Sequence, residues 1–536
     1  MNKKLYSLAY IYISIPIILF LVGFLKWYIG IPCAILAVVT LFSMCRDVPD
    51  NGFKIPMNRE TIEKILFVGF LVFLWVYLSG IGAMVDQNGD HRIRNGIYEA
   101  LLNYSWPVKA LAVDANYNVG ERGLIYYLGF WLPSAFIGKI TRIEIGYMFQ
   151  IVWAWLGIML LYLLICEHLK CVKAWPMIVF MGFSGLDFLG YLLLRFERNE
   201  IWAANRLEWW TYRYQFSSFT SQLFYVFNQA IPIWIAFMLV LRQRHNKYIA
   251  VLLGMTFISS ALPVVGAVPL ALCLVMSRKY VNNGIELSIK NSAWWKIWAK
   301  DTFSWQNVCG GLIPGLITGL YYLGNGSGKT ISASVGNDLI QRGIERLFIA
   351  TDIGALNSYK VASLDPVLLQ AYKDAGLSYR WYSGSFKGDI FIYLMFILLD
   401  ALVYYFAIYK YQKNNPLMYV SLIWLLICPK ITLGVSADFC MRASIPALMV
   451  LYLFVVDALR ESARLKDRVI QISLIVMLSI GSLTAVHEVW NQTSEMYKDV
   501  ALGDSLMQSS MQIDALLFTD NFAGSTEGFF FKYLAK

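Results

Sequence analysis

Long apolar runs, separated by short charged connectors and a few long polar loops, set the rhythm of this chain. A run of about twenty apolar residues matches the ~30 Å of hydrocarbon that an α-helix must cross. The pattern therefore predicts an all-α, polytopic membrane protein. A membrane β-barrel would show short stretches of alternating polarity instead. About 13 transmembrane or re-entrant helices are predicted. They cover Leu5 to Leu25, Tyr28 to Met44, Ile62 to Met84, Gly146 to Ile165, Ala174 to Leu194 and Leu223 to Leu241. Ile249 to Ala261 and Val264 to Met276 form a tight pair, followed by Val308 to Leu323, Ile390 to Tyr409, Leu417 to Leu433, Ala443 to Leu459 and Val469 to Val486. The tight pair is too short to cross straight and has Ser-Ser-Ala-Leu-Pro at its centre, which suits a re-entrant turn. Gly123 to Ile140 is read as an interfacial or re-entrant piece, because counting it as a span inverts every later loop. The first run follows MNKK, lacks a small-residue cleavage site and is read as an uncleaved span.

Charge orients this layout. The short loops HLKCVK, RQRHNK, KYQKNN and RESARLKDR fall on one side, joined by MNKK and the Arg46 to Lys64 loop. Excess Lys and Arg in short loops marks the cytoplasmic face. The N-terminus is therefore expected inside and the C-terminus outside, in a cytoplasmic membrane. Topology accounts for the formal net charge of +10. A nucleic-acid partner is not expected, since no basic face with nucleic-acid motifs is present. The stretch 285–300 mixes Trp294, Trp295 and Trp298 with Lys290, Lys296 and Lys300, which reads as an inner interfacial helix. Composition agrees with the class: 58% of residues are hydrophobic and 15% charged, against about a quarter charged in soluble domains.

The opposite face carries the bulk of the polar chain. The layout gives a transmembrane domain over 1–486, with outer loops at 85–145, 195–222 and 324–389, and a non-cytoplasmic tail over 487–536. Loops this long tend to be functional or disordered, and their aromatic content argues for order. The eight cysteines show no CxxC and read as small apolar packing residues, and four scattered histidines make no metal set. Neither a metal nor another cofactor is expected.

Two tempting motifs fail. GNGSGKT at 324–330 lacks the Walker glycine, since Leu323 stands there, and it follows an apolar span rather than a strand. Asp86, Asn88 and Asp90 open like a calcium loop, but His91 and Ile97 occupy the positions that need Gly and Glu. A looser oxygen-rich divalent cation site in that loop stays open. Asn103-Tyr104-Ser105 and Asn491-Gln492-Thr493 match glycosylation sequons.

The first outer loop carries the main functional signal. After Asp90 comes a helical pattern with Ile93, Ile97, Ala100 and Leu101, then Ser105-Trp106-Pro107, a polar stretch, and LIYYLGFWLPSAFIGK from Leu124 to Lys139. This order resembles the polyprenol-dependent glycosyltransferases of the GT-C superfamily, most of all the branch of protein O-mannosyltransferases and the lipid A aminoarabinose transferase. The resemblance covers roughly Val85 to Ile165 together with the span layout. Glu121-Arg122-Gly123 stands where that family has a Lys-Pro-Pro segment, and two spans precede the motif span instead of one. The resemblance implies a GT-C-like fold and a sugar transferred from a polyprenyl-phosphate donor to a glycan, lipid or protein acceptor on the outer membrane face. It also implies a loop carboxylate as general base, carried here by Asp90, with Asp86 second.

Such a transfer needs a carboxylate to take the acceptor's proton and cations to hold the leaving phosphate, for which Arg is suited by its bidentate fork. Arg94 and Glu99 accompany Asp90 in the same loop. Ser436 to Arg442, SADFCMR, is the second constellation: Asp438 and Arg442 are four apart and share a helical face. Arg442 is expected at the N-terminus of a span, gripping the donor phosphate. Arg380 and Lys387 belong to the same outer layer, with Tyr379 and Trp381. Asp187 and Asp400 fall inside spans, where a charge costs ~2.5–3.5 kcal/mol and has a partner or a role. Two alternatives remain: a polysaccharide polymerase or ligase using a lipid diphosphate-linked glycan, and a transporter or flippase.

Overall fold

A computed structural model describes residues 2–48, 53–113, 119–198, 206–211, 214–282, 285–287, 289–325, 386–431, 437–502, 509–518 and 522–536. The fold is mostly α-helical. Among the described residues, eight helices are long and apolar enough to cross a membrane: Lys3–Phe24, Trp27–Arg46, Arg59–Leu78, Ile143–Leu169, Trp175–Leu193, Phe219–Arg242, Ile390–Gln412 and Arg468–Ala501. Ala261–Met276 and Pro416–Lys430 are shorter apolar helices. The remaining predicted spans are broken or carry charge. Ile249–Thr256 stops after eight residues, Gln306–Leu312 is a π-helical stretch leading into Ile313–Leu323, and Ile445–Leu465 includes Asp457, Arg460 and Glu461.

The breaks are stabilised by protein rather than lipid, as non-helical backbone at membrane depth requires. At 257–260 the chain leaves the helix between the two short pieces. The Tyr322 hydroxyl donates to the freed carbonyls of Phe257 and Ile258 at 3.0 and 2.9 Å, and the Ser260 hydroxyl donates to the Gln229 carbonyl at 2.6 Å. The predicted tight pair is therefore two short helices. At the π-stretch, Asn307 accepts from the Ala250 amide and donates to the carbonyls of Asn246 and Thr302. Gly254 lies against the Gly311 carbonyl, so close that a Cβ would fall 2.2 Å from it. Small residues allow such backbone approach between membrane helices.

The loops sort into two ends. At one end Arg242 pairs with Glu167 at 2.7 Å, Lys247 with Asp47, Lys410 with Asp467, and Arg460 donates to the Leu169 carbonyl. These are the basic connectors that the charge pattern groups on one side. At the other end Gln492 bonds Asp86, Ser510 bonds Glu99 and Arg122 bonds the Leu517 carbonyl at 2.6 Å.

Two features of the second end differ from the sequence expectation. The last span does not stop near Val486. Arg468–Leu502 is one helix of 35 residues, about 52 Å at 1.5 Å per residue. That exceeds the hydrocarbon thickness, and HEVWNQTSEMYKDV, which continues it, contains neither Gly nor Pro to end it. The fold also contains a small sheet: Val119–Leu124 pairs antiparallel with Lys109–Val113 on one edge and Ala523–Ser525 on the other. Gly123 is needed in the central strand because the Phe531 ring packs where its Cβ would be. The tail thus folds back onto the first loop. The segment Gly123 to Ile140 forms no span; only Leu132–Ile140 is helical.

Candidate functional site

The first-loop helix, His91–Asn103, is anchored by its first turn. Gly80 and Gly82 adopt φ of +79° and +84° in the turn that leaves Arg59–Leu78, a region open to glycine. That turn presents the Ser79 and Gly80 carbonyls inward. The His91 Nε2 meets the Ser79 carbonyl at 3.1 Å, and Gln87 Nε2 donates to the Gly80 carbonyl at 2.8 Å. Asn95 closes the network on Gln87 Oε1 at 2.7 Å. Burial holds the His91 pKa well below its ordinary value, and nearby Arg94 adds to that. His91 is therefore a neutral packing residue, stacked on Phe227.

Arg94 lies on the same turn, one-tenth exposed. Its Nη1 donates to the Phe224 carbonyl at 3.2 Å, which also accepts from Asn88 Nδ2. This carbonyl is next to the kink at Val226 in Phe219–Arg242. The guanidinium rests over the Phe227 ring, 5.4 Å from its centroid, and Nη2 meets Asp90 Oδ2 at 3.2 Å. Burial lowers the Arg94 pKa while Asp90 opposes that shift. The Asp90 side chain itself is 54% exposed.

The second constellation arrives beside the first. Arg442 Nη1 meets Asp438 Oδ2 at 2.9 Å, as the four-residue spacing predicts. Arg442 and Arg94 lie within electrostatic range of each other, and both lie within range of Tyr126, as do Asp90 and Asp438. Two arginines, two aspartates and a half-buried tyrosine from three distant parts of the chain thus form one cluster within electrostatic range. Among the described residues, Arg442 Nε is buried with no hydrogen-bond partner. A buried, unsatisfied donor on a cation is costly, and an anion would satisfy it. Burial raises the Tyr126 pKa against the pull of the two arginines, so Tyr126 remains a hydroxyl donor. Contrary to the sequence expectation, Arg442 does not begin a span. It occupies the last turn of the short helix Asp438–Ala443, and the long helix starts after the break at Ser444, so a helix N-terminus does not add to its field.

The other predicted residues are elsewhere. Asp86 is buried against the long C-terminal helix: its Oδ2 accepts from Gln492 Nε2 at 3.0 Å. Burial and the neighbouring Asp499 carboxyl push its pKa up to about 6. Glu99 accepts from Tyr147 at 3.2 Å and Ser510 at 2.6 Å, which ties the helix to the tail and away from the arginines. Arg380 and the Lys387 side chain lie outside the described residues. Among the described residues no group of three or more His, Cys, Asp or Glu is arranged to hold a metal, and all eight cysteines are free.

Sequence reasoning missed Tyr126 and Tyr127, which it read only as part of an apolar segment. It also missed the extent of a second polar cluster. Asp187, Glu208, Asp400 and Glu488 are buried, and Asp187 and Glu208 each lie within electrostatic range of both Asp400 and Glu488. Asp187 accepts from Ser184 and Thr484, and Glu208 accepts from the Ser218 amide, Ser221 and Gln215. Among the described residues, Asp400 Oδ1 and Glu488 Oε1 have no hydrogen-bond partner.

No protein-family model matches this chain, and no curated protein or solved structure matches it either.

Proposed function

We propose that this protein is a membrane glycosyltransferase, resembling the GT-C enzymes, that transfers a sugar from a polyprenyl-phosphate donor to a glycan, lipid or protein acceptor. The reaction takes place on the non-cytoplasmic face of a cytoplasmic membrane. One observation carries the reading: Asp90–Arg94 and Asp438–Arg442, chosen from sequence for separate roles, meet around Tyr126 with Arg442 Nε unpartnered. Exposed Asp90 suits the general base. The acceptor hydroxyl attacks the anomeric carbon and gives its proton to the Asp90 carboxylate. The bond from that carbon to the phosphate oxygen breaks, and the phosphate leaves with the electron pair. Arg442 and Arg94 receive the charge, with Tyr126 as a further donor. Preorganised donors of this kind are the usual main source of transition-state stabilisation.

The buried carboxylates Asp187, Glu208, Asp400 and Glu488 favour a second reading, a proton- or cation-coupled transporter or flippase, since intramembrane acids mark such pathways. One experiment separates the two. Asp90→Asn is expressed at matched level and envelope glycan modification is measured alongside lipid-linked donor on the outer face. Lost modification with donor still present supports the transferase. Full modification rules out Asp90 as the base, and loss of outer-face donor supports the flippase.

A further inference from the structure

At the opposite end of the molecule from Asp90, a 610 Å³ groove runs between Trp175–Gly182 and Arg468–Leu502. Its walls are apolar, with Ile178 and Ile475 both 49% exposed. One end is closed: a Cβ on Gly182 would lie 3.1 Å from the Ser482 Cβ, so the helices cross tightly there. The other end opens at Lys173 and Arg460. Nearby acids are already engaged, Asp457 by His168 at 3.1 Å and Glu461 by Arg464 at 2.7 Å. Among the described residues, neither Lys173 nor Arg460 has a carboxylate partner.

The dimensions match one lipid leaflet. Groove residues on the long helix run from Gln471 to Ser482, about 16 Å at 1.5 Å per residue. Half of a ~30 Å hydrocarbon core is about 15 Å. An apolar slot of leaflet length, open to the bilayer and capped by two cations that have no carboxylate partner among the described residues, is complementary to an anionic phospholipid. We propose that this groove is a binding site for an anionic phospholipid of the leaflet on the basic-loop side, with its phosphate between Lys173 and Arg460 and one acyl chain along Ile178 and Ile475. The proposal is independent of the transferase reading, since no residue of the Asp90 cluster takes part. Basic pockets between membrane helices on that side bind anionic head groups by the same physics.

The test is native mass spectrometry of the delipidated full chain, titrated with phosphatidylglycerol or with phosphatidylcholine of the same acyl chains. The wild-type protein is expected to prefer the anionic lipid by about tenfold or more, since two cations at a few-fold each multiply. Lys173→Ala, which removes no side-chain bond seen among the described residues, lowers the preference about fivefold. Adding Arg460→Ala brings the preference to about one. Ser479→Trp, which fills the slot and leaves both cations, lowers binding of both lipids. Equal binding of the two lipids by wild type overturns the proposal, as does an anionic preference that survives in both cation variants. Displacement of the lipid by millimolar inorganic phosphate alone also overturns it, because the slot would then contribute nothing.

Discussion

Gly266→Ala is the most direct way to disturb the Arg442 cluster without touching a charged group. Gly266 lies on the helix Ala261–Met276, pressed against the residue that follows Arg442. A Cβ at 266 would lie 1.9 Å from the Ala443 carbonyl oxygen, 2.7 Å from its carbon and 2.9 Å from its Cα. Ordinary heavy-atom contacts sit near ~3.5 Å, so the backbones must part by more than ~1 Å. The obstacle is backbone, and it is pinned: Trp424 Nε1 donates to the same carbonyl at 2.8 Å. Overpacking of this kind costs about 1–3 kcal/mol. A displacement near 1 Å in a group that stabilises a transition state can cost ~10² in rate. Gly266→Ala is therefore expected to lower the thermal midpoint of the purified protein and to reduce sugar transfer in membranes by roughly ten- to a hundredfold. Gly120→Ala is the control, since no heavy atom lies within 4 Å of its Cβ position, and it should leave both measurements unchanged. A wild-type midpoint in Gly266→Ala refutes the packing argument. A lowered midpoint with full transfer refutes the link between this contact and the cluster.

Asp86 gives a pH signature distinct from that of Asp90. Its folded pKa of about 6 lies above the ordinary 3.8, so between those values the folded state holds the extra proton. Stability from this contact rises as pH falls through about 6 and levels off below about 4. The full shift corresponds to about 3 kcal/mol, and solvent screening at the edge of the pair reduces this to roughly 1 kcal/mol. Asp86→Asn should flatten that limb of an unfolding-midpoint profile while retaining transfer; an unchanged profile contradicts the Asp86–Asp499 contact. Arg442→Lys keeps the charge but loses Nε and the fork. Kinetics should show a drop of tenfold or more in kcat/KM for the lipid-linked donor, and wild-type values would remove Arg442 from phosphate binding. Tyr322→Phe strands the Phe257 carbonyl at the helix break and leaves the Ile258 carbonyl to the Gly129 amide alone, which costs about 1–3 kcal/mol. Denaturation of the variant in detergent should show that loss, and no loss would mean that lipid or water serves those carbonyls instead.

The positions of the charges along the chain carried the grouping of the basic connectors, because a short connector keeps the ends of its two flanking helices on one side. Arg242, Lys247, Lys410 and Arg460 each bond a group in another of these connectors, Glu167, Asp47, Asp467 and the Leu169 carbonyl. The i,i+4 pairs Asp90–Arg94 and Asp438–Arg442 are legible on the same ground, since helix geometry alone brings them together. Their meeting around Tyr126 is not, because it depends on how the Phe219–Arg242 helix bends at Val226 to offer the Phe224 carbonyl to Arg94. The choice between Asp86 and Asp90 shows where sequence spacing stops. Both acids lie in one loop, four residues apart, and composition treats them alike. What separates them is the helix Arg468–Leu502, which continues past the membrane and brings Gln492 and Asp499 onto Asp86. A carboxyl held there by a second acid is protonated more readily and shielded from an acceptor. Asp90, one turn further on and exposed beside Arg94, keeps the two properties a base in this reaction needs: access to the incoming hydroxyl, and a neighbouring guanidinium at 3.2 Å that orients its carboxylate.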